Sequence, residues 1–366
     1  MFKRSFTRRS FLASALLAPW LSLLDRYALA GQEPSVDLRL GPPQAFSFDQ
    51  LRQQAQQLAT QPYQPPPLPH AQVVDRIDYD AHLEIQYRPQ AALWRTGDGP
   101  YPVRFFHLGR LFPSPVRIHI VRAGEAREAL YSSRLFTFGK AEYAADLPDD
   151  LGFAGFRLMH SPTEERDWLA FLGASYFRSA GELDQYGISA RGIAIDTGLP
   201  TAEEFPRFSQ FWLEPAADPQ AVMIYALLDG PSVTGAYRIQ AIRHGRVIME
   251  VEAALFFRKD VQRLGVAPLT SMYWFSESNH QPSWDWRPEV HDSDGLALWT
   301  GAGERIWRPI NNPPFLQTSM FVDRDPKGFG LAQRDRNFEN YQDDRVFYER
   351  RPTLWVEPLE PWGAGA

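Results

Sequence analysis

Tyr237-Arg238-Ile239-Gln240-Ala241-Ile242-Arg243 and Arg246-Val247-Ile248-Met249-Glu250-Val251-Glu252-Ala253-Ala254-Leu255-Phe256-Phe257 stand on either side of His244-Gly245. Two apolar-rich runs around a glycine turn spell an antiparallel hairpin. Gly245 supplies the positive φ that a two-residue hairpin loop requires. In the second run Val247, Met249 and Val251 fall on one face and Glu250 and Glu252 on the other. That period of two marks a half-buried strand.

Working outward, Val116-Arg117-Ile118-His119-Ile120 alternates in the same way, and residues 222–228 form a short apolar run suited to a buried strand. Trp299, Trp307, Phe315, Phe321 and Phe329 carry the aromatic pattern toward the C-terminus, and 31 Pro and 25 Gly punctuate the chain. No long amphipathic helix follows residue 70, and no repeat of fixed period is present. The expected fold is all-β, a large antiparallel β-sandwich over residues 46–366.

The one strong helical signal precedes the sheets. Ser47 can cap the Gln50 amide while the Gln50 side chain reaches back, a capping box, and Leu51, Ala55 and Leu58 recur at helical spacing. The helix is expected to stop before Pro62, and residues 63–70, with four prolines, form an extended connector. Residues 31–45, with Pro42-Pro43, read as an extended linker.

Residues 1–30 read as an address. Lys3, Arg4, Arg8 and Arg9 give a basic start, an apolar run begins at Phe11, and Ala28-Leu29-Ala30 is a small-x-small cleavage site. Thr7-Arg8-Arg9-Ser10-Phe11-Leu12 carries the adjacent arginines of a twin-arginine signal. The apolar run, about 14 residues, is short of the ~20 needed to span a membrane, and no later stretch is apolar enough. A soluble protein exported to the periplasm is expected.

Composition narrows the chemistry. The 366 residues hold 38 Lys+Arg against 44 Asp+Glu, a net charge of -6, which argues against a nucleic-acid partner. There is no cysteine, so disulfides, thiolate metal sites and cysteine nucleophiles are excluded. His70, His82, His107, His119, His160, His244, His280 and His291 show no metal-ligand spacing, and no metal or cofactor is expected. Gly-x-Ser-x-Gly, a Walker loop and HExxH are all absent.

Chemistry-bearing residues concentrate in the last third. His291-Asp292-Ser293-Asp294-Gly295 comes after Trp284-Asp285-Trp286, and Asp323, Asp325, Asp335, Asp343 and Asp344 are interleaved with arginines beyond it. Carboxylates can serve as glycosidic acids and bases, and aromatic rings and arginines suit sugar rings and hydroxyls. An Asx-turn at Asp292 and a solvated charged face account for the same residues without a ligand.

Longer blocks add a resemblance. Asp150-Leu151-Gly152-Phe153-Ala154-Gly155-Phe156-Arg157, Phe171-Leu172-Gly173-Ala174-Ser175-Tyr176-Phe177-Arg178, Tyr186-Gly187-Ile188-Ser189-Ala190-Arg191-Gly192, His291-Asp292-Ser293-Asp294 and Arg351-Pro352-Thr353-Leu354-Trp355-Val356-Glu357-Pro358 stand in one order. With them the chain, from about Phe46 onward, closely resembles the periplasmic glucan biosynthesis proteins of the OpgG/OpgD (MdoG/MdoD) family. The twin-arginine start makes it most similar to the D-type. The resemblance implies a galactose-mutarotase-like sandwich followed by an immunoglobulin-like domain, and a role in shaping osmoregulated periplasmic glucans, β-1,2-linked glucose polymers. Members resemble inverting β-1,2-glucanases. On this resemblance Asp292 is the general base, Tyr348 and Arg351 lie at the glucan groove, and Asp294 and Trp355 join them as substrate-binding candidates, Trp355 equally readable as core. The family's general acid falls some twenty residues beyond the Trp362-Gly363-Ala364-Gly365 segment. The expectation is therefore a chain without that acid, without the immunoglobulin-like domain, and with a sandwich incomplete at its C-terminus.

Two functions stay open on the sequence: a periplasmic β-1,2-glucan hydrolase, and a glucan-binding or scaffolding protein without turnover. A mutarotase-like isomerase rests on the implied fold alone. The export reading has its own test. Arg8→Lys combined with Arg9→Lys is expected to stop export, because the translocase reads the guanidinium pair; cell fractionation measures it, and normal periplasmic accumulation would refute the twin-arginine route.

Overall fold

The computed structural model describes residues 36–280 and 285–366. The proposed signal segment, 1–30, lies outside the described residues, as does Trp284. Among the described residues no helix is long and apolar enough to cross a membrane.

The Gly245 hairpin is the edge of the largest sheet. Val233–His244 pairs with Arg246–Phe257 over its whole length, ending at His244↔Arg246. The turn is thus tighter than the expected two-residue loop and is centred on Gly245 alone, at φ +76°. Inward from this edge come Ala221–Asp229, Arg207–Pro215, Arg117–Arg122, Glu125–Leu130 and finally Arg39–Leu40, with Gln44–Ala45 also pairing on Glu125–Leu130. The stretch read as a linker therefore supplies two strand segments to this sheet. Its pairs are antiparallel except that Arg117–Arg122 runs parallel to Arg207–Pro215.

A second, antiparallel sheet is ordered Leu269–Thr270, Ser189–Arg191, Tyr176–Ser179, Asp167–Leu172, Gly155–Met159, Val103–Phe106. The core lies between the two sheets. Phe156 and Phe171 stack at 5.0 Å, and Phe211 of the large sheet meets both edge-on, at 5.1 and 5.6 Å. Offset and edge-on ring pairs add about 0.5–1.5 kcal/mol each beyond the area they bury. Ile118, Ile224 and Ile239 face the same core and are buried. The arrangement is a β-sandwich.

The helix forms where expected, at Phe48–Ala59, with the Ser47 hydroxyl accepting from the Gln50 amide at 3.2 Å. It covers the outer face of the large sheet. Leu51 and Ala55 are buried against Val121, Trp212 and Leu227, and the Thr234 hydroxyl donates to the Ala55 carbonyl at 2.8 Å. This cover corrects one expectation: the strand around Val116–Ile120 is closed on both faces rather than half-buried. His119, on its outer face, is 4% exposed and stacks on Trp212 at 4.9 Å, while Phe46 stacks on the same indole at 5.1 Å.

A third sheet, Arg305–Pro309, Gly295–Trp299, Gly328–Ala332 and Leu354–Val356, is antiparallel throughout. A two-stranded ladder, Tyr273–Phe275 with Val290–His291, leads into it. The segments that join this ladder and the strands of the third sheet carry most of the site.

Burial of histidine makes the sandwich sensitive to acid. Burial holds His107 down to about 4, with Nε2 against the Tyr131 hydroxyl at 2.9 Å, and holds His119 and His160 below the ordinary histidine value. The unfolded chain takes up these protons first as pH falls through about 6.5, so this contribution is full above 6.5 and declines below it. Denaturant unfolding between pH 7 and 5 should show stability falling by up to ~1.4 kcal/mol per pH unit for His107 alone. A flat profile would show that these rings take up protons in the fold as readily as in the unfolded chain.

Candidate functional site

His291-Asp292-Ser293-Asp294 bridges the two-stranded ladder and the third sheet. The Asp292 amide donates to the Met272 carbonyl at 2.8 Å, and the Asp294 amide to the Ala332 carbonyl at 2.9 Å. Ser293 is buried, its hydroxyl 2.6 Å from that of Ser271. With both flanks held by backbone bonds, the direction of the Asp292 side chain is set by the ladders.

That carboxylate meets the guanidinium predicted to accompany it. Asp292 Oδ1 lies 3.3 Å from Arg351 Nε, both side chains 13% exposed. The contact lacks hydrogen-bond geometry, and both atoms are buried without a hydrogen-bond partner. Burial raises the Asp292 carboxyl above its ordinary value, and Arg351, His291 and Arg178 pull it part of the way back. Tyr348 and Arg351 are presented by a single 3₁₀ turn, Tyr348–Arg350, whose Arg351 amide donates to the Tyr348 carbonyl at 3.1 Å. Residues three apart eclipse on such a turn. The Arg351 guanidinium accordingly sits over the Tyr348 ring, 5.2 Å from its centroid. The Tyr348 hydroxyl makes no hydrogen bond among the described residues, and burial raises its pKa.

The turn is anchored from two sides. Arg287 grips Asp285 at 2.7 Å and Asp343 at 2.7 Å, while Asp343 also accepts from the Arg345 and Val346 amides at 3.0 and 2.9 Å. Burial alone would raise Asp343; Arg287 and the amides outweigh it and hold the carboxyl below the usual range. From the other side, the stem of Arg351 packs on Gly187, where an added Cβ would lie 3.1 Å from Cδ. Tyr186 beside it lies under Arg178, 4.8 Å from guanidinium to ring, and donates to Asp167 at 3.0 Å.

Behind Asp292, His291 is fully buried in a polar cluster. Gln333 Nε2 donates to the Tyr348 carbonyl and the Tyr341 hydroxyl, each at 3.0 Å, which turns Oε1 toward His291 Nδ1 at 3.2 Å. Nδ1 therefore carries a proton, assigned from this network. Nε2 lies 2.8 Å from Glu289 Oε2, a contact that needs a second proton between them. Burial raises Glu289. Glu289, His291 and Asp294 bring one ligand atom each within 4.8 Å of one another and are the one group among the described residues that could hold a metal. The Nε2–Oε2 separation is that of a shared proton; two ligands about 2.0–2.2 Å from one tetrahedral metal stand further apart.

The predicted residues thus divide. Asp292, Tyr348 and Arg351 come together. Asp294 lies behind them, its Oδ2 accepting from the Arg334 amide and from the Asp335 amide at 3.1 Å. Trp355 is turned to the third sheet: its indole lies over Gly328, where a Cβ would meet the ring at 2.5 Å, and Nε1 donates to Glu357 at 2.9 Å. Arg178, Tyr186, Arg287 and Gln333 were not singled out from the sequence. Arg178 and Tyr186 stood inside the matching blocks, which was their only signal; Gln333 had none.

Comparison with known proteins places the chain in a family. The family model described as "Periplasmic glucan biosynthesis protein, MdoG" matches residues 46–366. The chain is 52% identical over 373 residues to glucans biosynthesis protein D 2 of Ralstonia nicotianae, covering 98% of this chain and 68% of that protein. It is 50% identical over 361 residues to glucans biosynthesis protein D of Xanthomonas oryzae pv. oryzae, covering 97% and 66%. With the protein of that name from Stenotrophomonas maltophilia it shares 50% over 373 residues, 100% of this chain and 68% of the relative. The chain spans about two thirds of the length of these relatives. The family match over residues 46–366 and these identities lead to one conclusion: the chain belongs to the periplasmic glucan biosynthesis family, in its D-type branch.

Proposed function

We propose that the chain acts in the periplasm, after twin-arginine export, on the backbone of osmoregulated periplasmic glucan, binding β-1,2-linked glucose units at Asp292, Tyr348 and Arg351 and serving their hydrolysis with inversion. The observation that carries the reading is the pair of buried, hydrogen-bond-free atoms, Asp292 Oδ1 and Arg351 Nε, beside the free Tyr348 hydroxyl. Buried polar groups are ordinarily satisfied, so these are groups prepared for a water or a sugar hydroxyl.

In an inverting step a water attacks the anomeric carbon, its proton passes to a base, and an acid protonates the departing glycosidic oxygen as the C–O bond breaks. Asp292 suits the base. Burial brings its proton affinity up, while Arg351 keeps the carboxylate available. A guanidinium and a phenol at the same wall hydrogen-bond to sugar hydroxyls in fixed directions. The acid is a different matter. Asp285 and Asp343 are held ionised by Arg287, and Asp294 caps two backbone amides. Asp285 and Asp343 are therefore poor proton donors, Asp294 is occupied by those amides, and this favours a second reading, in which the chain holds glucan without turning it over.

Binding separates the glucan reading from others. Retardation in a gel containing linear β-1,2-glucan should be strong for the wild-type chain and reduced about tenfold in affinity by Arg351→Ala, with Tyr348→Phe intermediate. Unchanged retardation in both folded variants would remove the glucan from this wall. Reducing-end release from the same polymer then separates hydrolase from binder. Asp292→Asn is expected to abolish any release while leaving retardation within about threefold, because an amide cannot take the proton of the attacking water.

The electrostatics give a test independent of turnover. Arg351 lowers the Asp292 pKa, so Arg351→Ala should raise it further above the ordinary carboxylate value. Carboxyl-carbon NMR titration reads the shift. A fall in the variant would mean that the guanidinium is not what stabilises the carboxylate.

A further inference from the structure

The large sheet carries a cleft that shares no residue with the Asp292 cluster. Its walls are the helix Phe48–Ala59, the proline connector after it, and the ends of Arg207–Pro215 and Ala221–Asp229. The cavity measures about 480 Å³ and adjoins a second of about 240 Å³, the two sharing Tyr63, Pro66 and Arg207. We propose that this cleft is a second saccharide site that holds a neutral stretch of glucan away from Asp292; it rests on the glucan reading above.

The lining is unusual in kind. Gln54, Gln57, Gln61, Gln64 and Gln210 all face the cleft, and none of these amides makes a side-chain hydrogen bond among the described residues. Seven of the seventeen residues from 48 to 64 are Gln (50, 53, 54, 56, 57, 61, 64). A merely solvated helix face is ordinarily built from Glu, Lys and Arg, which add ion pairs and solubility. Amides add neither. What an amide offers is a donor and an acceptor on one planar group, the complement of a hydroxyl that is both.

The acidic charge in the cleft is paired and its basic group is anchored on backbone. The Arg207 guanidinium donates to the Pro115 carbonyl at 2.5 Å, and Asp229 is paired with Arg258 at 2.8 Å. A cation would find no unpaired carboxylate there, since Arg258 takes up Asp229, and an uncharged polyol can accept from Arg207 without any counter-charge of its own. Tyr63 supplies the aromatic face, and its hydroxyl has no partner among the described residues. In the adjoining cavity the ring of Phe205 is 51% exposed, a second apolar platform of the kind on which sugar rings stack.

The wall is also rigid before any ligand arrives. Arg258, with a side chain 7% exposed, donates to the carbonyls of Leu58 and Gln61, each at 3.0 Å, and lies 5.8 Å over the Tyr63 ring. The helix end and the connector are thereby pinned to the sheet, and Pro65, Pro66 and Pro67 hold the far side extended. A preformed groove keeps the ordering cost of binding low. Two sites on one rigid body would hold a long polymer more tightly than a short one, since the second contact becomes intramolecular.

The test uses the full chain, titrated calorimetrically with linear β-1,2-glucan of about twenty units and with a short oligosaccharide, in wild type, Gln54→Ala/Gln57→Ala, Gln210→Ala and Tyr63→Phe. The amide variants should lose roughly tenfold or more in affinity for the long polymer with unchanged thermal midpoint, keep their affinity for the short one at the Tyr348–Arg351 wall, and leave Tyr63→Phe in between. Long-polymer binding that is insensitive to both amide variants but lost in Arg351→Ala overturns the second site and leaves the glucan reading standing. Absence of glucan binding by the wild type overturns both.

Discussion

The Gln333 side-chain amide is the constraint on which the candidate site depends. One planar group ties His291, from a strand 42 residues earlier, to Tyr341 and the carbonyl of Tyr348. Because a carbonyl can only accept, the amide cannot turn over, and its fixed orientation assigns the His291 proton. The same bond holds the start of the 3₁₀ turn that presents Tyr348 and Arg351. A buried network of this kind specifies one arrangement only when every member is satisfied. The atoms left unsatisfied, Asp292 Oδ1 and Arg351 Nε, are buried beside it. A satisfied network beside atoms with unmet hydrogen-bonding capacity is the arrangement on which the proposed binding role draws.

Electrostatics sort the carboxyls by neighbour rather than by sequence. Asp285, Asp292, Asp294 and Asp343 lie close together in the chain's last third, yet each has a different condition. Arg287 keeps two of them ionised, backbone amides occupy the third, and burial lifts the fourth. Environments that push like groups apart assign acid and base roles. Here they single out Asp292.

Much of the sandwich was legible because its cues are local. The hairpin at Gly245 comes from a period of two and one glycine, and the helix from a cap and three apolar positions. The parallel pairing of Arg117–Arg122 with Arg207–Pro215 was not, since nothing in either strand names a partner some ninety residues away. Nor was the burial of His119, because Trp212, the ring that stacks on it, is remote in sequence. At the site, Asp292, Tyr348 and Arg351 were reached through the family blocks, and Trp355 shows their limit. An indole in the right block lies flat on a strand whose glycines leave room for it, a fact no single-sequence pattern carries. Gln333 stayed invisible because a structural glutamine looks like any surface one until its partners are seen.

The 3₁₀ turn has an evolutionary consequence. Phe347 enters it at φ +52°, a left-handed backbone that side chains seldom adopt, and three residues after Tyr348 the Arg351 side chain eclipses it. With three residues per turn, each added or deleted residue swings the downstream chain by about 120°. A single-codon insertion between Tyr348 and Arg351 would carry the guanidinium off Asp292 while leaving every side chain of the site in the gene. The geometry therefore tolerates a change of side chain on the turn's outer face better than a change of length.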